Sequence, residues 1–86
     1  MKQIQPVSIW YQGAMTPAVI FNMVSISDNL INSATFYYQL YSATNIVLAD
    51  GNLTMDGADY TNYSSNPASN DFAYTWGAGK LNLTLV

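Results

Sequence analysis

The chain has 86 residues, neither cysteine nor histidine, and a formal net charge of -3. Charged residues make up 8% and hydrophobic residues 50%, where an ordinary soluble domain carries about 25% charge. Two lysines, Lys2 and Lys80, and no arginine exclude the basic footprint that nucleic acid or an anionic membrane surface requires.

A chain of this length is expected to form one domain, residues 1–86, and to bury only about 60–65% of its unfolded surface. Without disulfides or a Cys/His metal site, nothing staples it. A small surface with so little charge and no staple points to an oligomer, in which subunit burial replaces both.

In chain order, residues 3–11 (QIQPVSIWY) read as a strand. Val7, Ile9 and Tyr11 share one face, Ser8 and Trp10 the other, and Pro6 marks an edge. Gly13 and Pro17 predict a turn over residues 12–17. Residues 18–27 read as a second strand with Val19, Phe21 and Met23 on one face and Ile20, Val24 and Ile26 on the other. Apolar residues on both faces imply cover on both sides. Residues 28–33 are rich in turn formers, with Leu30 and Ile31 expected to plug the end of the core.

Residues 34–43 and 46–55 read as a long hairpin turning near Thr44-Asn45. Phe36, Tyr38 and Leu40 point one way; Thr35, Tyr37, Gln39 and Tyr41 point the other. The return strand changes phase between Ile46 and Leu48, at even positions, and Leu53 and Met55, at odd ones. A bulge or turn at Asp50-Gly51 would account for that. Residues 56–66 read as polar and irregular. Asn66-Pro67 is a helix start, predicting a helix over about 67–78 with Phe72 and Trp76 on one face. Asp71 and Lys80 suit its dipole. Leu81, Leu83 and Leu85 alternate with Asn82 and Thr84, predicting a final strand over 81–86. The fold class is therefore mainly β: a small antiparallel β-sandwich or barrel, with one helix in the C-terminal half followed by a last strand.

No catalytic constellation emerges. The five acids are all aspartates, mostly beside Gly or Asn, where turn formation accounts for them. Asp50, Asn52, Asp56 and Asp59 could offer oxygen ligands to calcium, but their spacing matches no calcium loop and lacks a bidentate glutamate; local turns explain them more simply. No cofactor or metal is expected. The Asn-x-Ser/Thr triplets at Asn52, Asn62 and Asn82 fit chance in so Asn- and Thr-rich a chain. Twelve aromatic residues, seven of them tyrosine, are the richest feature. Tyrosine and tryptophan serve protein interfaces and sugar stacking alike. Trp10, Tyr11, Phe21, Met23, Tyr37 and Tyr41 are the expected interface residues, and Trp76 is expected in the core.

The opening residues, with Lys2 followed by a polar stretch, lack the apolar segment of a secretory signal. The longest apolar run, 18–26, carries Asn22 and Ser25 and falls short of the roughly 20 residues of a membrane-spanning helix. Synthesis in a cytoplasm without export, and no membrane partner, are the expectations.

Four stretches taken together, KQIQPVSIW, DNLINSATFYYQLYS, GNLTMDGADY and FAYTWGAGKLNLTLV, resemble small virion proteins of tailed bacteriophages, in the style of phages of Bacteroides-type hosts, including the crAss-like group. The resemblance runs along nearly the whole chain, in segment order rather than in a catalytic signature. It implies a non-enzymatic β-sandwich building block of a head, fibre or tail. Such a block acts in the virion by self-assembly or by docking to other virion proteins, and is made in the bacterial host cytoplasm. It implies no active-site residue. The alternative is a carbohydrate-binding module that reads a host-surface glycan through exposed Tyr and Trp.

Overall fold

The computed structural model describes residues 1–86. Four strands, β1 (Lys2–Tyr11), β2 (Ala14–Asp28), β3 (Ser33–Tyr41) and β4 (Val47–Asp56), form one sheet in the order β1-β2-β3-β4, with every neighbouring pair antiparallel. Two helices follow, α1 (Gly57–Ser65) and α2 (Ser69–Lys80).

The first connection is tighter than the sequence suggests. Gln12 and Gly13, with φ of +49° and +86°, join Tyr11 to its partner Ala14. Two successive positive φ values make the mirror-image turn whose twist matches the strands it links. Pro17 therefore lies inside β2, opposite Ser8. β3 pairs with β2 only from Ile20 onward, so β2 has one neighbour at Pro17, and a proline is tolerated there.

The core face follows from the register. Phe21 pairs with Leu40, and Ala34, Phe36 and Leu40 pair with Met55, Leu53 and Ala49; residues directly opposite share a face. Phe21, Met23, Ala34, Phe36, Leu40 and Met55 are all buried, with Phe21 and Met55 wholly so. The helices cover this face. Tyr74 of α2 meets Phe21 edge-on at 5.4 Å and 86°, and Tyr63 of α1 meets Phe36 at 5.6 Å and 90°, both in the edge-to-face geometry that aromatic rings favour.

Tyr74 also completes the sheet. β1 reaches β2 only as far as the Lys2–Phe21 pair, which leaves Met23 without a neighbour on that side. The Met23 N–H donates to the Tyr74 hydroxyl (3.2 Å), and that hydroxyl lies 3.3 Å from both Met23 O and Asn22 Oδ1. A side chain thus satisfies a backbone position that the ladder would otherwise leave open.

Several expectations are corrected. The second layer is a pair of helices, not a second sheet, and β1 and β4 remain the two edges of an unclosed sheet. The stretch read as irregular holds α1, because Tyr60 and Tyr63 lie three apart and turn one face to the core. Helix α2 begins at Ser69, not residue 67. Asn66 is the C-cap of α1, and its side chain accepts the Ala68 N–H at 2.8 Å.

The last segment is not a full strand. Asn82, at φ +56°, ends α2 with Leu83 N–H donating to Ala78 O (2.8 Å) and Asn82 N–H to Gly79 O (3.4 Å), the paired bonds of a left-handed C-cap. The chain then turns along β1. Gln5 N–H donates to Thr84 O, Val86 N–H donates to Gln3 O, and one bridge joins Ile4 and Leu85. The phase change in β4 lies at Leu48, the extra residue between the Tyr41–Val47 and Leu40–Ala49 pairs. Gly51 pairs regularly with Tyr38, whose ring lies where a glycine Cβ would be, 2.8–2.9 Å away.

Candidate functional site: the uncovered sheet face

The helices leave the opposite face of the sheet uncovered. Its residues follow from the same register: Ile20, Asn22 and Val24 on β2, Thr35, Tyr37, Gln39 and Tyr41 on β3, and Asp50, Asn52 and Thr54 on β4. Val24 is 46% exposed, while Tyr37, Gln39 and Tyr41 are half-buried by one another.

The polar groups of this face are tied together. Tyr37 Oη donates to Asp50 Oδ2 at 2.6 Å, and Tyr41 Oη donates to Gln39 Oε1 at 2.6 Å. Asn22 Nδ2 reaches the same Gln39 oxygen at 3.5 Å. The aromatic rings are therefore held in place rather than free to sweep the surface. The hydrogen bond to Asp50 raises the Tyr37 hydroxyl pKa above its usual value of 10.0, with burial adding to it.

On the covered side, Tyr60 Oη donates to Asp28 Oδ1 at 2.7 Å. That bond, followed by burial, likewise raises the Tyr60 pKa. Both groups are held neutral by folding. Their contribution to stability is thus complete below about pH 10, the unfolded value, and is lost as pH rises through the higher folded values. The melting temperature is expected to fall above about pH 10, and to fall less in a Tyr37→Phe, Tyr60→Phe double variant. Melting followed across alkaline pH checks this; identical profiles for the two proteins would refute it.

The six expected interface residues divide by place. Trp10 is 69% exposed on the β1–β2 hairpin, opposite Met15 at 59%. Tyr11 is half-buried on the other side of that hairpin and packs toward the core. Tyr37 and Tyr41 stand on the uncovered face. Phe21 and Met23, at 0% and 7% exposure, lie in the core because α2 sits on them. Ile20 and Val24 hold the outward positions of β2 in their place, as the alternation of that strand allows. Trp76, expected in the core, is half-buried, donating to Asp59 Oδ2 at 3.1 Å and lying 6.0 Å from the Phe36 ring.

Asp50, Asn52, Asp56 and Asp59 do not converge. Asp50 and Asn52 lie on the uncovered face, Asp56 precedes α1, and Asp59 holds Trp76. No three acids gather as a metal cluster would require. Leu30 and Ile31 do not plug the core: they are 83% and 80% exposed. Neither helix is long and apolar enough to cross a membrane. No protein-family model, curated protein or solved structure matches the chain.

Proposed function

We propose that this chain is a non-enzymatic structural component of a bacteriophage particle, a head, fibre or tail part. It works in the virion by packing against copies of itself or by docking to a larger virion protein. The observation that carries this reading is the uncovered face with Ile20, Val24, Tyr37 and Tyr41, on a chain with 8% charged residues. These four side chains stand among Asn22, Thr35, Gln39, Asp50, Asn52 and Thr54, and tyrosines and aliphatics within a polar surround are a composition that protein interfaces use. At about 25 cal/mol per Å2, burying some hundreds of Å2 of it would add several kcal/mol per subunit. Replacing Val24 with Asp puts a charge on the face beside Tyr37 and is expected to lower the mass in solution, with strand content unchanged by circular dichroism. A variant that assembles like the wild type would remove this face from the interface.

The second reading is a glycan-binding surface. It is favoured by one feature: Tyr37 and Tyr41 stand among Gln39, Asp50 and Asn52, rings beside hydrogen-bonding groups, as sugar recognition needs. It predicts a change in tyrosine fluorescence with host capsular polysaccharide, and silence across such sugars would count against it.

A further inference from the structure

We propose that the Asp56-Gly57 junction between β4 and α1 is a site of spontaneous self-modification. Asp56 converts there to isoaspartate, while the fold protects the other Asp-Gly pair of the chain, Asp50-Gly51.

The chemistry needs only the chain and water. The Gly57 peptide nitrogen attacks Asp56 Cγ and a C–N bond forms. The side-chain carboxyl loses its OH, which leaves as water with the amide proton, and a five-membered succinimide ring remains. Water then opens the ring. Breaking the Cγ–N bond restores aspartate. Breaking the bond from the main-chain carbonyl carbon to nitrogen gives isoaspartate: Gly57 is now joined through Cγ, and the former main-chain carbonyl is a free carboxylate. Nothing is oxidised or reduced, and the mass of the chain is unchanged. Glycine is the most permissive following residue, because no Cβ shields its nitrogen.

The structure separates the two pairs. Asp50 lies inside β4, opposite Gln39, and Gly51 lies opposite Tyr38. The Asp50 carboxylate accepts the Tyr37 hydroxyl at 2.6 Å, and the Tyr38 ring lies 2.8–2.9 Å from the Cβ position of Gly51. Ring closure there requires the ladder to open first, which costs free energy.

Asp56 is placed differently. Its pair with Ser33 is the last of the β3–β4 ladder, so the peptide to Gly57 leads out of the sheet. Asp56 holds the N-cap position of α1, yet its side chain makes no capping hydrogen bond. Asp56, Gly57 and Ala58 are all exposed, and nothing lies within 4 Å of a Cβ placed on Gly57. Closing the ring requires Cβ and the next nitrogen to eclipse about the Cα–C bond. Asp56 has ψ of -180°, already rotated toward that arrangement from the antiparallel-strand value of about +135°.

Isomerisation adds one carbon to the main chain between two fixed points. Met55, just before it, is wholly buried, and Tyr60, in the first turn of α1, is tied to Asp28 at 2.7 Å. One of the two must shift, so the aged chain is expected to unfold at lower urea.

The test is to age the full chain for weeks at neutral pH in heavy-oxygen water, which labels each reopened ring, and to map the label by peptide mass spectrometry. Label at Asp56 is expected to exceed label at Asp50 by roughly tenfold or more in the folded chain, because Asp50 reacts only after the ladder opens. In urea the two sites should react alike. The Asp56→Glu variant keeps the charge, but its longer side chain closes a six-membered ring far more slowly. It should lose the label at that position and keep its urea midpoint on ageing. Equal labelling of Asp50 and Asp56 in the folded chain would overturn the proposal, as would labelling of Asp56 only in urea. An Asp56→Glu midpoint that falls as far as that of wild type would show that ageing weakens the fold elsewhere.

Discussion

Phe21→Ala is expected to cost the fold about 3–5 kcal/mol. The whole stability of an 86-residue domain is on the order of 4–13 kcal/mol, so the variant should be largely unfolded at moderate denaturant. The upper half of the range applies because Phe21 is wholly buried and is gripped from two sides. Tyr74 stacks edge-on against it, and the Phe21 Cζ lies 3.1 Å from where a Gly77 Cβ would stand. The cavity would open between the sheet and α2, and neither backbone can collapse into it without unseating the hydroxyl of Tyr74 from Met23. Trp10→Ala is the contrast. Trp10 is larger than Phe21 but 69% exposed, and its loss should shift stability by less than about 1 kcal/mol. Urea unfolding of both variants decides the matter. A Phe21→Ala loss below about 1 kcal/mol would mean that α2 is not seated on this face.

The alternation in β3 was legible because that strand separates two unlike surfaces. Phe36 and Leu40 are buried while Tyr37 and Tyr41 face outward, so period two stands out. β2 was ambiguous for a physical reason. It carries apolar residues on both faces, Phe21 and Met23 inward, Ile20 and Val24 outward, and nothing local says which side receives the helices. That choice depends on where Tyr74 and Gly77 arrive from more than fifty residues away. Helix α1 was hidden by Gly57 and its Ser, Thr and Asn residues, which have weak helix propensity. The signal that could have found it was Tyr60 and Tyr63 three apart, following Asp56, which takes the N-cap position.

The segment 81–86 shows the opposite failure. Leu81, Leu83 and Leu85 have the cleanest alternation in the chain, yet a strand needs a partner along its length. Asn82 in the left-handed region turns the chain so that only Ile4 is bridged. Leu30 and Ile31 mislead in a related way. Apolar residues in a short loop usually close a core, but the Asn29 side chain organises this loop so tightly that both are displayed instead. The uncovered face was therefore half legible: Tyr37 and Tyr41 by alternation, Ile20 and Val24 only once the helices had claimed the other side of β2.

Gly77→Leu is expected to destabilise the protein by about 1–3 kcal/mol or more, although it replaces a poor helix former with a good one. By propensity alone the change should stabilise α2 by about 1 kcal/mol. Packing reverses the sign. A Cβ at Gly77 would stand 3.0 Å from Met23 Sδ and 3.1 Å from Phe21 Cζ, closer than ordinary van der Waals contact, and a leucine would add three further carbons in the same direction. Either the helix lifts off the sheet, breaking the Tyr74 bond to Met23, or Phe21 and Met23 leave their rotamers. Gly79 supplies the control two residues along the same helix. Nothing lies within 4 Å of its added Cβ, so Gly79→Ala should keep the full propensity gain of up to about 1 kcal/mol. Opposite signs in chemical denaturation would establish that Gly77 is present for the close approach of α2 to the sheet. Stabilisation by both would mean that α2 packs on β2 more loosely than these distances require.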